Sequence, residues 1–179
     1  MLYVALLRGI NVGGKNKVDM KQLKGVFEDA GMTDVKTYIN SGNVIFSSKI
    51  RAKARLVDQI EDGIAKHFGF DVPVVLRNLA EMKALVKTIP AKWTTDQKMR
   101  CDVLFLWKEV DRRSVLKEFK HDPKMEDVRY AGGAIIWRID RKDVNKSRMW
   151  RGLFGTPLYK QMTIRNCNTV RKLLTLMEQ

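Results

Sequence analysis

The side chains best suited to chemistry lie close together near the start of the chain, in Arg8-Gly9-Ile10-Asn11-Val12-Gly13-Gly14-Lys15-Asn16-Lys17. Arg8, Lys15 and Lys17 supply positive charge, Asn11 and Asn16 supply directional amides, and Gly9, Gly13 and Gly14 let a backbone bend tightly or approach a ligand. Cations, amides and backbone N–H groups are the ingredients of a phosphate or carboxylate receptor. The spacing is that of no named phosphate loop, since the glycines fit neither Gly-x4-Gly-Lys-Ser/Thr nor Gly-x-Gly-x-x-Gly. A plain turn, with glycines at positive φ and lysines in solvent, is the competing reading.

The elements around this stretch explain why it could form a site. Leu2-Tyr3-Val4-Ala5-Leu6-Leu7 is a short apolar run and reads as a buried strand. After the loop, Asp19 is placed as an N-cap, and Leu23, Val26, Phe27 and Ala30 recur at helical spacing up to Gly31. An alternating strand at 35–39, a turn at Asn40-Ser41-Gly42-Asn43, a return strand at 44–47, a helix at about 52–68 and a strand at 72–77 follow. Pro73 places that last strand at an edge or makes it a strand start. The order βαββαβ predicts a ferredoxin-like unit. In that fold the first and third strands are antiparallel neighbours, which brings the glycine loop and the Asn40–Asn43 turn to the same end of the sheet. Tyr3 and Phe46 occupy strands where an RNA-recognition domain carries stacking aromatics. The first strand is apolar on both faces, however, which argues for a covered sheet.

The second half repeats the order more loosely. A helix is expected at 79–88, then a polar connector with Pro90 and Trp93, a strand at 102–107, a helix at 114–120, and strands at 127–130 and 134–139 around Ala131-Gly132-Gly133. A basic segment, 141–151, and a terminal helix over 168–177 complete it. No residue-level repeat links the halves. The fold expected is α+β: two ferredoxin-like subdomains, 1–90 with the glycine loop and 91–179 with the C-terminal helix, packed as one compact unit.

Three blocks together resemble the bacterial domain-of-unknown-function family 1697. They are Val4–Asn16, Thr37–Val44, and Thr163-Ile164-Arg165-Asn166-Cys167-Asn168-Thr169. The resemblance implies an α+β fold with ferredoxin-like subdomains in a cytosolic bacterial protein, and implies no activity. It adds Thr163, Arg165, Asn166, Asn168 and Thr169 as candidate site residues. Asn166 or Asn168 would serve equally as an N-cap for the last helix. The family usually carries an aromatic at the position of Cys167, which argues against a required thiol chemistry there.

Composition narrows the partners. The 179 residues hold 34 basic and 20 acidic side chains, a net charge of +14, which favours nucleic acid, nucleotides or other anions. Cys101 and Cys167 lack ligand spacing and read as buried thiols in a reducing, cytoplasmic protein. No stretch approaches the ~18 apolar residues of a membrane span, and the N-terminal apolar run is too short for a secretory signal. His67 and His121 stand apart, so neither metal nor cofactor is expected. The motif blocks contain no carboxylate, and Ser41 has no neighbouring base, so no catalytic residue is assigned. Three readings follow: a binder of an anionic ligand, nucleic acid or nucleotide, through Arg8, Gly9, Asn11, Gly13, Gly14, Lys15, Asn16, Lys17, Asn40, Ser41, Gly42, Asn43, Arg165, Asn166, Asn168 and Thr169; an enzyme acting on a phosphorylated or carboxylated metabolite with the same clamp; or three blocks that are purely structural. Oligomeric state is left open.

Overall fold

Alternating and continuous apolar runs become eight strands in two antiparallel four-stranded sheets in the structure, a computed structural model describing residues 1–179. The chain divides into two compact units, Met1–Met82 with Leu173–Gln179, and Lys83–Lys172.

The first sheet holds β1 (Leu2–Leu7), β2 (Thr33–Tyr38), β3 (Asn43–Ser47) and β4 (Val74–Asn78) in the order β2-β3-β1-β4. The apolar run of β1 is central and buried throughout from Tyr3 to Leu7. β4, which follows Pro73, is the edge strand, where a missing N–H is tolerated. Helices α1 (Met20–Asp29) and α2 (Lys53–Phe68) bury their apolar stripes, Leu23 and Phe27 on one and Leu56, Ile60 and Ile64 on the other, in a core with Tyr3, Ala5 and Leu7 of β1. Each such large side chain contributes about 1.5–3 kcal/mol when fully buried. Asp19 caps α1 as the sequence predicts, accepting from the N–H groups of Lys21 and Gln22 at 2.9 Å. α2 ends at Gly69 with φ 80°, a left-handed C-cap.

The second sheet has the same order, β6-β7-β5-β8, from β5 (Met99–Leu106), β6 (Glu126–Ala131), β7 (Ala134–Asp140) and β8 (Met162–Asn166). Its connections differ. The helix expected at 114–120 is a 3-10 helix at Arg113–Glu118, whose only buried residue is Val115, too little to hold an α-helical stripe. The basic segment forms the third 3-10 stretch, Arg141–Lys146, after Lys108–Val110 and Arg113–Glu118, and the short helices α4 (Arg148–Leu153) and α5 (Pro157–Lys160) follow the α-helix α3 (Leu79–Thr88) in chain order. β8 has no counterpart in the sequence reading. Its Thr163 and Arg165 are buried although polar, which hides the strand from a hydrophobic pattern. The terminal helix α6 is Cys167–Met177.

Structure also reveals a correspondence that the bare sequence conceals. β4 ends in Leu76-Arg77-Asn78 and β8 in Ile164-Arg165-Asn166. In each, the arginine Nη1 donates to the preceding residue's carbonyl at 2.8 Å. Each asparagine Oδ1 then accepts the N–H three residues on, of Glu81 at 2.9 Å and of Thr169 at 2.8 Å. The same strand-to-helix joint is used in both units. At the first, Glu81 also accepts the Asn78 N–H, making a reciprocal capping box.

Candidate functional site

The glycine loop is a miniature hairpin. Lys15 N donates to Val12 O at 3.1 Å and Asn11 N to Asn16 O at 3.0 Å, and Val12 bridges Lys15. Gly13 and Gly14, at φ 58° and 77°, are its central residues, the two left-handed positions a type I′ turn requires. Asn11 and Asn16, at φ 54° and 48°, occupy the same region, which asparagine tolerates better than most residues. No atom lies within 4 Å of a Cβ built at Gly9, Gly13 or Gly14. These glycines answer a need for backbone conformation rather than for close packing.

Loop and turn converge at one end of the first sheet. Asn11 Nδ2 donates to Val18 O and to Asn40 O, both at 3.0 Å, while its Oδ1 accepts Val18 N at 2.9 Å. Asn16 Nδ2 donates to Gly9 O at 3.1 Å. Leu7 N donates to Gly42 O at 2.8 Å. Asn43 is 0% exposed and gives its amide to Tyr38 O and Ser41 Oγ, both at 3.0 Å. Gly42 has no room for a side chain, since a Cβ there would lie 2.7 Å from Leu7 Cβ and 2.8 Å from Ile10 Cδ1. The amides expected to meet a ligand therefore brace the loop instead.

A cavity of about 430 Å³ opens at this junction, lined by Asn11, Gly14, Lys17, Asn40, the α1 start with Asp19 and Lys21, and apolar Val18 and Met20. Lys15, Lys17 and Lys21 are exposed and Arg8 is half-buried. Lys21 escaped the sequence reading because it lies beyond the glycine-rich stretch, in the first turn of the helix. The cap carboxylate of Asp19 already occupies the N–H groups at that helix end. A negative charge in the cavity would therefore meet Lys17 and Lys21, with Gly14 as the turn glycine in the lining.

The third block belongs to the second unit and is built into it. Arg165 is only 7% exposed, and its Nη1 donates to Thr163 Oγ1 at 3.0 Å. Burial lowers its pKa to about 10, so it remains charged at neutral pH. Asn166 is the cap of α6, which resolves the choice between cap residues in its favour. Asn168 exchanges two hydrogen bonds with the Thr95 backbone, at 2.9 and 3.3 Å, and Thr169 is buried. Cys101 and Cys167 are buried, and extending the Asp102–Asn166 register puts them opposite one another. The hydrogen bond they share raises the pKa of Cys101 and lowers that of Cys167. Tyr3 and Phe46 stack on each other at 5.7 Å and are 0% exposed, so neither offers a platform to a base.

Among solved structures, the conserved bacterial protein SP0830 from Streptococcus pneumoniae shares this architecture, with a TM-score of 0.84, 33% identity and 98% of each chain covered. No curated protein matches the chain significantly. The family described as "Protein of unknown function (DUF1697)" matches residues 1–137, a span that holds the glycine loop, the Asn40–Asn43 turn and most of both sheets. The chain belongs to the DUF1697 family.

Proposed function

We propose that the first unit binds a phosphate-bearing ligand, a nucleotide or a nucleic-acid strand, in the cavity between the glycine loop and the start of α1. The carrying observation is that Lys17, Lys21 and Gly14 of the glycine turn line one cavity. The division of labour is physical. Asn11, Asn16 and Asn43 hold the loop in shape, so little ordering entropy is lost on binding. The exposed lysines keep their charge in solvent and are ready to exchange water for phosphate oxygens. An overall charge of +14 raises the encounter rate with such a ligand.

Thermal shift against a nucleoside triphosphate, inorganic pyrophosphate and a short single strand tests this, with Lys17→Ala/Lys21→Ala alongside. At a hundredfold excess over Kd, selective binding adds about 2.7 kcal/mol of stability. Wild type should gain several degrees in Tm with at least one of these ligands, and the double variant should gain almost none. An equal rise in both proteins, or none in wild type at low salt, contradicts the proposal. The bracing bonds of Asn11 and Asn43 favour a second reading, in which the loop is architecture alone. On that reading no ligand moves the Tm of either protein.

A further inference from the structure

The second unit carries another basic cavity, with no residue in common with the glycine-loop site. It measures about 780 Å³ and is lined by Phe119, Lys120, His121, Arg148, Arg151 and Gly152. That volume falls in the range of small-molecule sites, about 300–1,000 Å³. Its lining contains no carboxylate. The nearest acidic residues in sequence are engaged elsewhere: Glu118 pairs with Arg112 at 2.8 Å, and Asp122 Oδ1 accepts Lys124 N at 3.0 Å. Lys120 and Arg148 are exposed and have no ion-pair partner. Gathering like charges in one concavity is repulsive, and an anion in the cavity removes that repulsion.

The walls are fixed by one buried residue. Glu126 is 3% exposed, and its Oε2 accepts the N–H of Asp122, behind His121, at 2.9 Å. Its Oε1 accepts from Trp137 Nε1 at 3.1 Å and from Ser147 Oγ. Ser147 in turn caps α4, accepting the Trp150 N–H at 2.8 Å. The segment carrying Lys120 and His121 and the helix carrying Arg148 and Arg151 are therefore tied to a single carboxylate. Arg151 is further held by Ser147 O and Lys146 O, both at 3.2 Å.

The segment that carries Arg148 and Arg151 also carries an aromatic pair, Trp150 and Phe154. Trp137 stacks on Trp150 at 5.0 Å, Trp150 meets Phe154 edge-on at 5.0 Å, and Phe154 leans on Tyr159 at 4.9 Å. Arg100 covers Trp150 at 4.2 Å and fixes the stack from behind. The buried end of the series is Trp137; Phe154, two residues past Gly152, is 47% exposed. Cations and a rigidly backed, solvent-exposed ring on one short segment, with Arg151 three residues before Phe154, suit single-stranded nucleic acid, since phosphates take the charge and an unpaired base takes the ring. A duplex keeps its bases stacked and has no use for the ring. A membrane surface would need an apolar face, and Phe154 is the sole large hydrophobic residue exposed in this unit.

We infer that the second unit is a binding site for single-stranded nucleic acid, with Lys120, Arg148 and Arg151 on the phosphates and Phe154 stacked on a base. Fluorescence anisotropy with labelled RNA and DNA strands of about 12 nucleotides, inside the usual site size, tests this on the full chain. Lys120→Glu/Arg148→Glu should bind at least tenfold more weakly at low salt with an unchanged Tm, because neither side chain braces the fold. Its salt slope should be shallower by about 1–2. Phe154→Ala should weaken binding and leave the salt slope unaltered. Strand binding should also quench tryptophan fluorescence through Trp150, and every arm is run in the Lys17→Ala/Lys21→Ala background, so that no strand held at the glycine-loop cavity is counted. Binding of RNA, of DNA or of both supports the site and identifies which sugar it accepts. No strand binding at low salt, equal affinity for duplex, preference for anionic vesicles, or full binding by the charge-reversed variant overturns it.

Discussion

At the scale of single residues, the chain separates groups that build from groups that are free to bind. Gly42 is the sharpest builder, because it combines φ 74° with a Cβ position 2.7 Å from Leu7 Cβ. Gly42→Ala should cost roughly 2–4 kcal/mol, from overpacking and from the left-handed backbone together, as measured by urea unfolding. A loss below about 0.5 kcal/mol would mean that the turn relaxes away from β1. The same separation explains what the site residues disclosed in the sequence. Asn11, Asn43 and Arg165 have the right chemistry for a ligand, and only coordinates reveal that their bonds go to Val18, Tyr38 and Thr163. Lys15 and Lys17 stand out in the sequence because they lie in the glycine-rich stretch, and Lys21 does not, because a lysine early in a helix looks like any other.

At the scale of elements, the first unit was legible nearly strand for strand. Its apolar runs, caps and glycine stops all follow local rules that a buried β1 and two amphipathic helices obey. The second unit was harder because its connections are 3-10 turns and short helices, and β8 is polar where a strand is expected to be apolar. The matched Arg-Asn joints are the clearest element-level feature. Asn78 and Asn166 each cap the helix that leaves the last strand of a sheet, so Asn78→Ala and Asn166→Ala should each lower stability by about 1 kcal/mol. Asn78→Ala should cost no more than Asn166→Ala, because the other half of its capping box, from the residue 78 N–H to the Glu81 carboxylate, survives the substitution. If calorimetry finds Asn166→Ala neutral for stability, the third block has a role other than capping.

Across the whole molecule, a charge of +14 meets two units of the same topology, each with its own basic concavity. Charge of this sign was plain in the composition, but its distribution was not. It takes the fold to bring Lys17 and Lys21 to one cavity and Lys120 and Arg148 to another. The ligand we propose for the glycine-loop cavity bears phosphate, and at 20.7 kDa the protein suits amide-resolved NMR. The most direct measurement is a titration of the labelled protein with a nucleoside triphosphate at low salt. Saturable shifts at Gly14, Lys17, Lys21 and Asn40, lost in Lys17→Ala/Lys21→Ala, are the predicted result. Amides of the glycine loop and α1 that stay unmoved at millimolar ligand would contradict it.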